Sequence, residues 1–174
     1  MNYLKSNYPF SIFSVILVLG SILLLSADKK ELLSAGEAYV EFAGHGQDRG
    51  PEDLNLGYVQ QPDELDAGRG KRLEALAIRP GEGSLPIELI YGGHFQGTGD
   101  DNGVSTGQIL GTVGQGRRME QLWIEITGKY KDQYSVYYKI HQQDRGWSEW
   151  YRDGQKVGSR GKRIEAVKIK IVDK

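Results

Sequence analysis

The sequence predicts an all-β protein made of three similar units, with a hydrophobic helix before them. The first observation is composition: 24 glycines and ten tyrosines in 174 residues, with few helix-forming runs in the main body. The second is repetition, because two short phrases recur three times at similar spacing. We expect about four short strands per unit and a shared core, arranged as a pseudo-threefold, β-prism-like body. A β-trefoil is the alternative.

The N-terminal segment, residues 1–27, is predicted to be either a signal peptide or a membrane anchor. Ser6–Ala27 contains no charged residue, and most of it is Ile, Leu, Val and Phe. The run is longer than the usual signal-peptide core but slightly short for a spanning helix. Both alternatives place the rest of the chain outside the cell or on its surface. Residues 28–37, with charges and leucines at helical spacing, are predicted to form a stalk or linker.

The repeats divide residues 38–174 into units of about 38–80, 85–128 and 130–174. The three histidines of the chain are 49 and 47 residues apart, and each begins a His-x-Gln phrase. A second phrase, Gly-(Lys/Arg)-Arg-x-Glu, opens the last strand of every unit. These recurring positions are His45, His94 and His141, Arg72, Arg118 and Arg163, and Glu74, Glu120 and Glu165.

The repeated glutamates are predicted to be structural. Alternation in the last strand puts Glu165 on the same side as Val167 and Ile169, with Lys168 on the other side. A carboxylate in a core row is costly unless it is paired, so we expect each Glu to bind backbone amides, Arg or His of its own or the next unit. The three histidines could instead meet on a symmetry axis and bind zinc or copper, but we favour a structural role and predict no metal and no cofactor.

The third unit resembles the clostridial hydrophobic W repeat. The likeness runs through Ser135–Trp150 and Gly158–Ile169, and it includes the signature Gly146-Trp147. This resemblance implies an extracellular module that binds polysaccharide, cell wall or host surfaces, with no catalytic residues. The first two units share only the repeated phrases, and Pro51 and Asp100 replace the signature Trp there.

Aromatic residues indicate candidate binding positions. Trp147, Trp150 and Tyr151 form either a platform for sugar rings or part of the core, and Trp150 and Tyr151 should point to opposite faces of their strand. Trp123 takes the outward position that Lys168 has in the third unit. We expect an exposed ring there that contacts another chain, a glycan or the stalk.

Composition narrows the function classes. The chain has no cysteine and a net charge of −1, which excludes disulfides and thiol catalysis and argues against nucleic acid as partner. No catalytic spacing stands out, so we predict a non-enzymatic, exported or surface recognition module. Its partner would be a polysaccharide, a cell-wall component or a surface protein. The alternative is a structural subunit of a membrane-anchored, homo-oligomeric surface assembly or filament.

Overall fold

The computed structural model describes residues 37–50 and 54–174. The predicted leader or anchor at 1–27, and all but the last residue of the predicted stalk at 28–37, lie outside the described residues. Residues 37–174 form one compact unit. Within the described part, no helix is long and apolar enough to cross a membrane. The regular structure there is β-strand, apart from one 3-10 turn at Gly128–Tyr130.

Thirteen strands follow one another along the described residues. The first unit contains β1 (Val40–Gly46), β2 (Tyr58–Gln60), β3 (Glu64–Asp66) and β4 (Leu73–Pro80). The second contains β5 (Glu88–Phe95), β6 (Gly99–Ser105), β7 (Leu110–Gly111) and β8 (Met119–Thr127). The third contains β9 (Tyr134–Gln142), β10 (Gly146–Trp147), β11 (Tyr151–Arg152), β12 (Val157–Gly158) and β13 (Ile164–Asp173).

The second strand expected in the third unit, Trp147–Arg152, is divided into β10 and β11. The Ile140 amide donates to Ser148 Oγ at 3.2 Å, so a side-chain oxygen replaces the backbone acceptor that a continuous ladder would use. The turn expected at Asp153-Gly154 is present, and both residues have positive φ, as a type I′ turn requires. However, β12, the strand after this turn, does not pair with a strand of its own unit. It pairs with β8 in a neighbouring sheet.

The strands form three antiparallel sheets, none of them closed. In each sheet the first and last strands of one unit pair side by side: β1 with β4, β5 with β8, and β9 with β13. The second strand of the same unit lies at one edge.

The other edge of each sheet is supplied by a different unit. Strand β7 of the second unit pairs with β4 of the first, β12 of the third pairs with β8 of the second, and β3 of the first pairs with β13 of the third. The exchange is cyclic, because every unit gives one short strand and receives one. No unit can therefore complete its sheet alone.

The three sheets share one hydrophobic cluster. Phe42, Tyr91 and Tyr138 hold equivalent positions in the three first strands, opposite Ile78, Ile124 and Ile169, and all are fully buried. The Ile78 amide donates to the Tyr91 hydroxyl at 3.1 Å, and that hydroxyl donates to the Gln108 carbonyl. The bond between Ile78 and Tyr91 joins the first unit to the second. The prediction of an all-β class with antiparallel sheets is confirmed, while the β-prism-like and β-trefoil arrangements stay predictions.

Candidate functional site

The outer face of the β9–β13 sheet carries a row of aromatic and lysine side chains. Alternation turns Tyr138, Ile140, Val167 and Ile169 into the core, so their neighbours in the strands point outward. We call the outward set the aromatic–lysine face. Its members are Tyr137, Lys139, Trp147, Trp150, Lys168 and Lys170.

Rings and ammonium groups alternate along this face. Lys139 Nζ lies 5.0 Å from the centre of the Trp147 ring and 5.1 Å from that of Trp150. Lys170 Nζ lies 4.5 Å from the Trp150 ring and 5.6 Å from the Tyr137 ring. The order along the face is therefore Trp147, Lys139, Trp150, Lys170, Tyr137. Such distances lie in the range of cation–π attraction, which helps to hold the flexible lysines beside the rings.

Positive charge is concentrated on the same face. Lys139 and Lys168 are directly opposite each other in the β9–β13 register, where like charges repel. Glu64 of the first unit pairs with Lys168 at 3.2 Å. Within the described ranges, no carboxylate oxygen lies within 4.0 Å of Lys139 or Lys170. Among the described residues, these two ammonium groups thus have no carboxylate partner.

Trp147 separates two surface clefts. One has a volume of about 300 Å³ and is lined by Glu64, Asp66, Arg69 and His141 in addition to Trp147. The other, of about 310 Å³, is lined by residues of β9, of the segment 145–151 and of β12. The ring is 36% exposed and meets the His141 ring edge-on, with centroids 5.7 Å apart. Core packing of Trp147, one of the two sequence-based alternatives, is therefore wrong.

The other predicted aromatic positions differ from one another. Trp150 is 38% exposed, whereas Tyr151 packs partly buried against the core, so the expectation that they face opposite ways is met. Trp123 is not an exposed ring. It lies over Gly92 and Gly103, where an added Cβ would come within 2.6 Å and 2.8 Å of its ring carbons. The two glycines remove the side chains that would otherwise keep the indole away from the sheet, and this explains the correction.

The first two units lack this face. Asp100 pairs with His94 across β5 and β6 as Trp147 pairs with His141 across β9 and β10, so the two are equivalent. Asp100 binds Arg160 at 3.0 Å, and its hydrogen bond with His94 is the largest cause that lowers the pKa of the Asp100 carboxyl. In the second unit, the residue equivalent to Trp147 therefore forms an ion pair with the third unit.

The residues in the lysine positions of the first two units are small or neutral. Ala43 and Ala77 in the first unit, and Gly92 and Trp123 in the second, correspond to Lys139 and Lys168 by strand register. The aromatic–lysine face thus occurs once among the three units. Sequence reasoning missed the lysines as site residues, although the outward alternation of Lys168 and Lys170 was the signal for them.

Two of the three repeated glutamates join neighbouring units. Glu74, Glu120 and Glu165 are buried, and each accepts from the Nε of the Arg two residues earlier at 2.7–2.8 Å. The second oxygen of Glu74 accepts from the Gly116 amide at 3.0 Å, and that of Glu120 accepts from the Gly161 amide at 2.9 Å. Both amides belong to the following unit. Both oxygens of Glu74 and of Glu120 are thus engaged, and these two carboxylates hold neighbouring units together.

The histidines do not form a shared metal site in the described ranges. His45 is buried, His94 Nδ1 lies 3.1 Å from Asp100, and His141 Nδ1 lies 3.1 Å from the second oxygen of Glu165. Among the residues described, no group of three or more His, Asp or Glu side chains is arranged to hold a metal ion. His141 connects the buried Glu165 carboxylate to the exposed Trp147 ring.

Comparison with known proteins supplies one match. The family model for Clostridial hydrophobic W matches residues 94–128 and 141–173, within the second and third units. Neither the curated proteins nor the solved structures include a significant match to this chain. Together, the repeated phrases, the Gly146-Trp147 signature and this match show that the chain carries two repeat units of the clostridial hydrophobic W family.

Proposed function

We propose that this protein is an exported, non-enzymatic recognition module that binds polysaccharide at the cell wall or on another cell surface. Membership of its repeats in the clostridial hydrophobic W family supports a surface or cell-wall role. The uncharged run at Ser6–Ala27 supports export, by cleavage or by anchoring.

The single observation that carries the proposal is the exposure of Trp147 and Trp150 on one outer face. Two exposed tryptophans on the same face are unusual, because large apolar rings normally lie inside or mark an interface. Sugar rings have apolar faces that stack on an indole, while their hydroxyls need hydrogen-bonding groups beside it. The clefts on both sides of Trp147 offer such groups, including Arg145, Ser148 and Asp66.

The proposal includes the arrangement of the three sheets as a threefold prism. Support comes from the cyclic exchange of β3, β7 and β12 and from the single core shared by the three sheets. In a prism each sheet has one face inside and one outside, so three outer faces are available. Among the described residues, the third unit alone carries two exposed tryptophans on its outer face.

Binding of the full chain to a panel of bacterial, plant and host polysaccharides tests the function. Trp147→Ala/Trp150→Ala should weaken binding at least about tenfold, since buried Trp contacts carry about 2 kcal/mol or more in recognition sites. Tyr58→Ala is the matched control, because Tyr58 is an exposed aromatic residue on the first sheet. Circular dichroism must show that both variants are folded. Binding unaffected by the double substitution would refute the site, and a folded chain that binds no glycan would refute the function.

A structural subunit of a surface assembly remains the alternative proposal. Trp123 no longer supports it, because that ring is half-buried on its own sheet. The exposed aromatic rings of the third unit are the observation still in its favour. The mass of the full chain in detergent separates the two functions: a large ordered species that Trp147→Ala/Trp150→Ala disperses would favour assembly.

A further inference from the structure

We propose that the polysaccharide bound by the aromatic–lysine face is acidic, and that Lys139 and Lys170 bind its carboxylate or phosphate groups. This inference rests on the proposed function and specifies its ligand class. The ligand would be a polymer that carries an acidic group on many of its sugar rings or linkages.

The first argument is uncompensated charge. The opposed pair Lys139 and Lys168 costs stability through repulsion, and Glu64 offsets only the Lys168 side. Lys170 adds a third ammonium group two residues further along β13. A surface that only needed solubility would gain from mixing signs, as Arg79 and Glu41 do at 3.0 Å on the first sheet. An anionic ligand would supply the negative charge that is lacking here.

The second argument is the order of groups along the face. Each of the two ammonium groups without a carboxylate partner among the described residues lies between two rings. Lys139 lies between Trp147 and Trp150, and Lys170 lies between Trp150 and Tyr137. A sugar stacked on one ring therefore has an ammonium group at its edge. A carboxylate or phosphate on that sugar, or on its linkage, would be within reach of a charge-assisted hydrogen bond.

The third argument comes from the other two units. At the Lys139 and Lys168 positions the first unit has Ala43 and Ala77, and the second has Gly92 with Trp123. The fold is thus formed with no lysine at these positions. Lys139 and Lys168 are therefore not required by the repeat itself, so their presence beside the exposed tryptophans points to the ligand. The Lys170 position differs, because Arg79 of the first unit is also a cation there but pairs with Glu41.

The experiment compares matched ligands and matched variants of the full chain. The probes are polygalacturonate, the same polymer with its carboxyls methyl-esterified, a glucosylated poly(glycerol phosphate), and single-stranded DNA as a non-glycan polyanion. The test variant is Lys139→Gln/Lys170→Gln. The control is Lys129→Gln/Lys131→Gln, which removes the same charge from two exposed residues in the connection before β9.

The expected result is binding to at least one of the two acidic glycans and binding at least about tenfold weaker to the methyl ester. The test variant should lose about tenfold in affinity for the acidic glycan, and the control should lose less than about twofold. Raising salt from about 50 mM to about 300 mM should weaken binding by the parent chain and have little effect on the test variant. Whether polygalacturonate or the poly(glycerol phosphate) binds more tightly distinguishes carboxylate from phosphate.

Three outcomes would overturn the inference. Equal binding of polygalacturonate and its methyl ester, lost in Trp147→Ala/Trp150→Ala, would leave the glycan function standing and refute the acidic ligand. DNA binding as tight as acidic-glycan binding would mean that the face recognises charge without sugar. Equal losses in the two lysine variants would mean that overall charge, rather than Lys139 and Lys170, determines affinity. Failure to bind any glycan would instead refute the proposed function itself.

Discussion

The glutamates that join neighbouring units give the sharpest test of how this fold is held together. Glu74 is 2% exposed; one of its oxygens accepts from Arg72 at 2.8 Å and the other from the Gly116 amide of the next unit at 3.0 Å. Glu74→Gln keeps the shape of the side chain. It removes the charge and replaces one acceptor oxygen with a donor, so one of the two bonds must be lost.

The expected cost is about 2–3 kcal/mol in the free energy of unfolding. Hydrogen bonds to charged groups contribute about 1.5–3 kcal/mol, and breaking a fully buried ion pair costs about 3–5 kcal/mol. The Arg72 side chain is 27% exposed and regains water when its partner is neutralised, which places the cost at the lower end. For a unit of this size, such a cost lowers the melting temperature by roughly 8–12 °C.

Thermal unfolding of the full chain, followed by circular dichroism, measures this effect. Lys71→Gln is the control, because it breaks an ion pair of 2.6 Å with Asp48 in which the side chains are 43% and 62% exposed. That pair should contribute little to stability, because solvent screens both of its charges. If Glu74→Gln lowers the melting temperature no more than Lys71→Gln does, the buried carboxylate does not join the units in the way argued here.

Two further predictions concern the same junctions. Gly158→Ala should destabilise the chain by about 2–3 kcal/mol, because φ is +103° there and the new Cβ would lie 2.4 Å from the carbonyl oxygen of Glu120 in the paired strand β8 of the second unit. A denaturation midpoint equal to that of the parent would contradict this prediction. Burial raises the pKa of Tyr91 and of Tyr138 to about 12. The stability that comes from keeping each buried hydroxyl protonated is fully present below about pH 10 and is lost as the pH rises towards 12. The free energy of unfolding should therefore fall by about 1.5 kcal/mol per tyrosine between about pH 10 and 11.5. Urea unfolding at these two pH values measures the fall in the free energy of unfolding. Tyr138→Phe should reduce this fall, and a fall as large as that of the parent would contradict the prediction.

Much of the local structure could be predicted from the sequence, because its causes lie within a few residues. The alternation in β13 predicts that the Val167 side chain points into the core and the Lys168 side chain points outward. The Asp-Gly pair predicts the turn at Asp153-Gly154. The spacing of Arg72 and Glu74 places both side chains on the same side of the chain, where they meet. These relations depend on strand periodicity and turn preference alone.

The prediction for Trp123 went wrong because it used periodicity alone. Alternation correctly puts the ring on the outer side of β8, but exposure also depends on what lies opposite. Strand β5 places Gly92 there, and β6 adds Gly103. Only the pairing of three strands shows that the indole has a flat, empty surface to lie on.

Sequence patterns are enough to predict the all-β class, the three repeats, the buried glutamates and the concentration of aromatic residues in the third unit. Tertiary structure alone decided the cyclic exchange of β3, β7 and β12, since two- or three-residue strands carry too little pattern to choose a partner. It also decided that Lys139, from β9, and Lys170, from β13, stand on either side of Trp150. Those positions depend on the register between strands about 30 residues apart, and that register is set by the packing of the shared core.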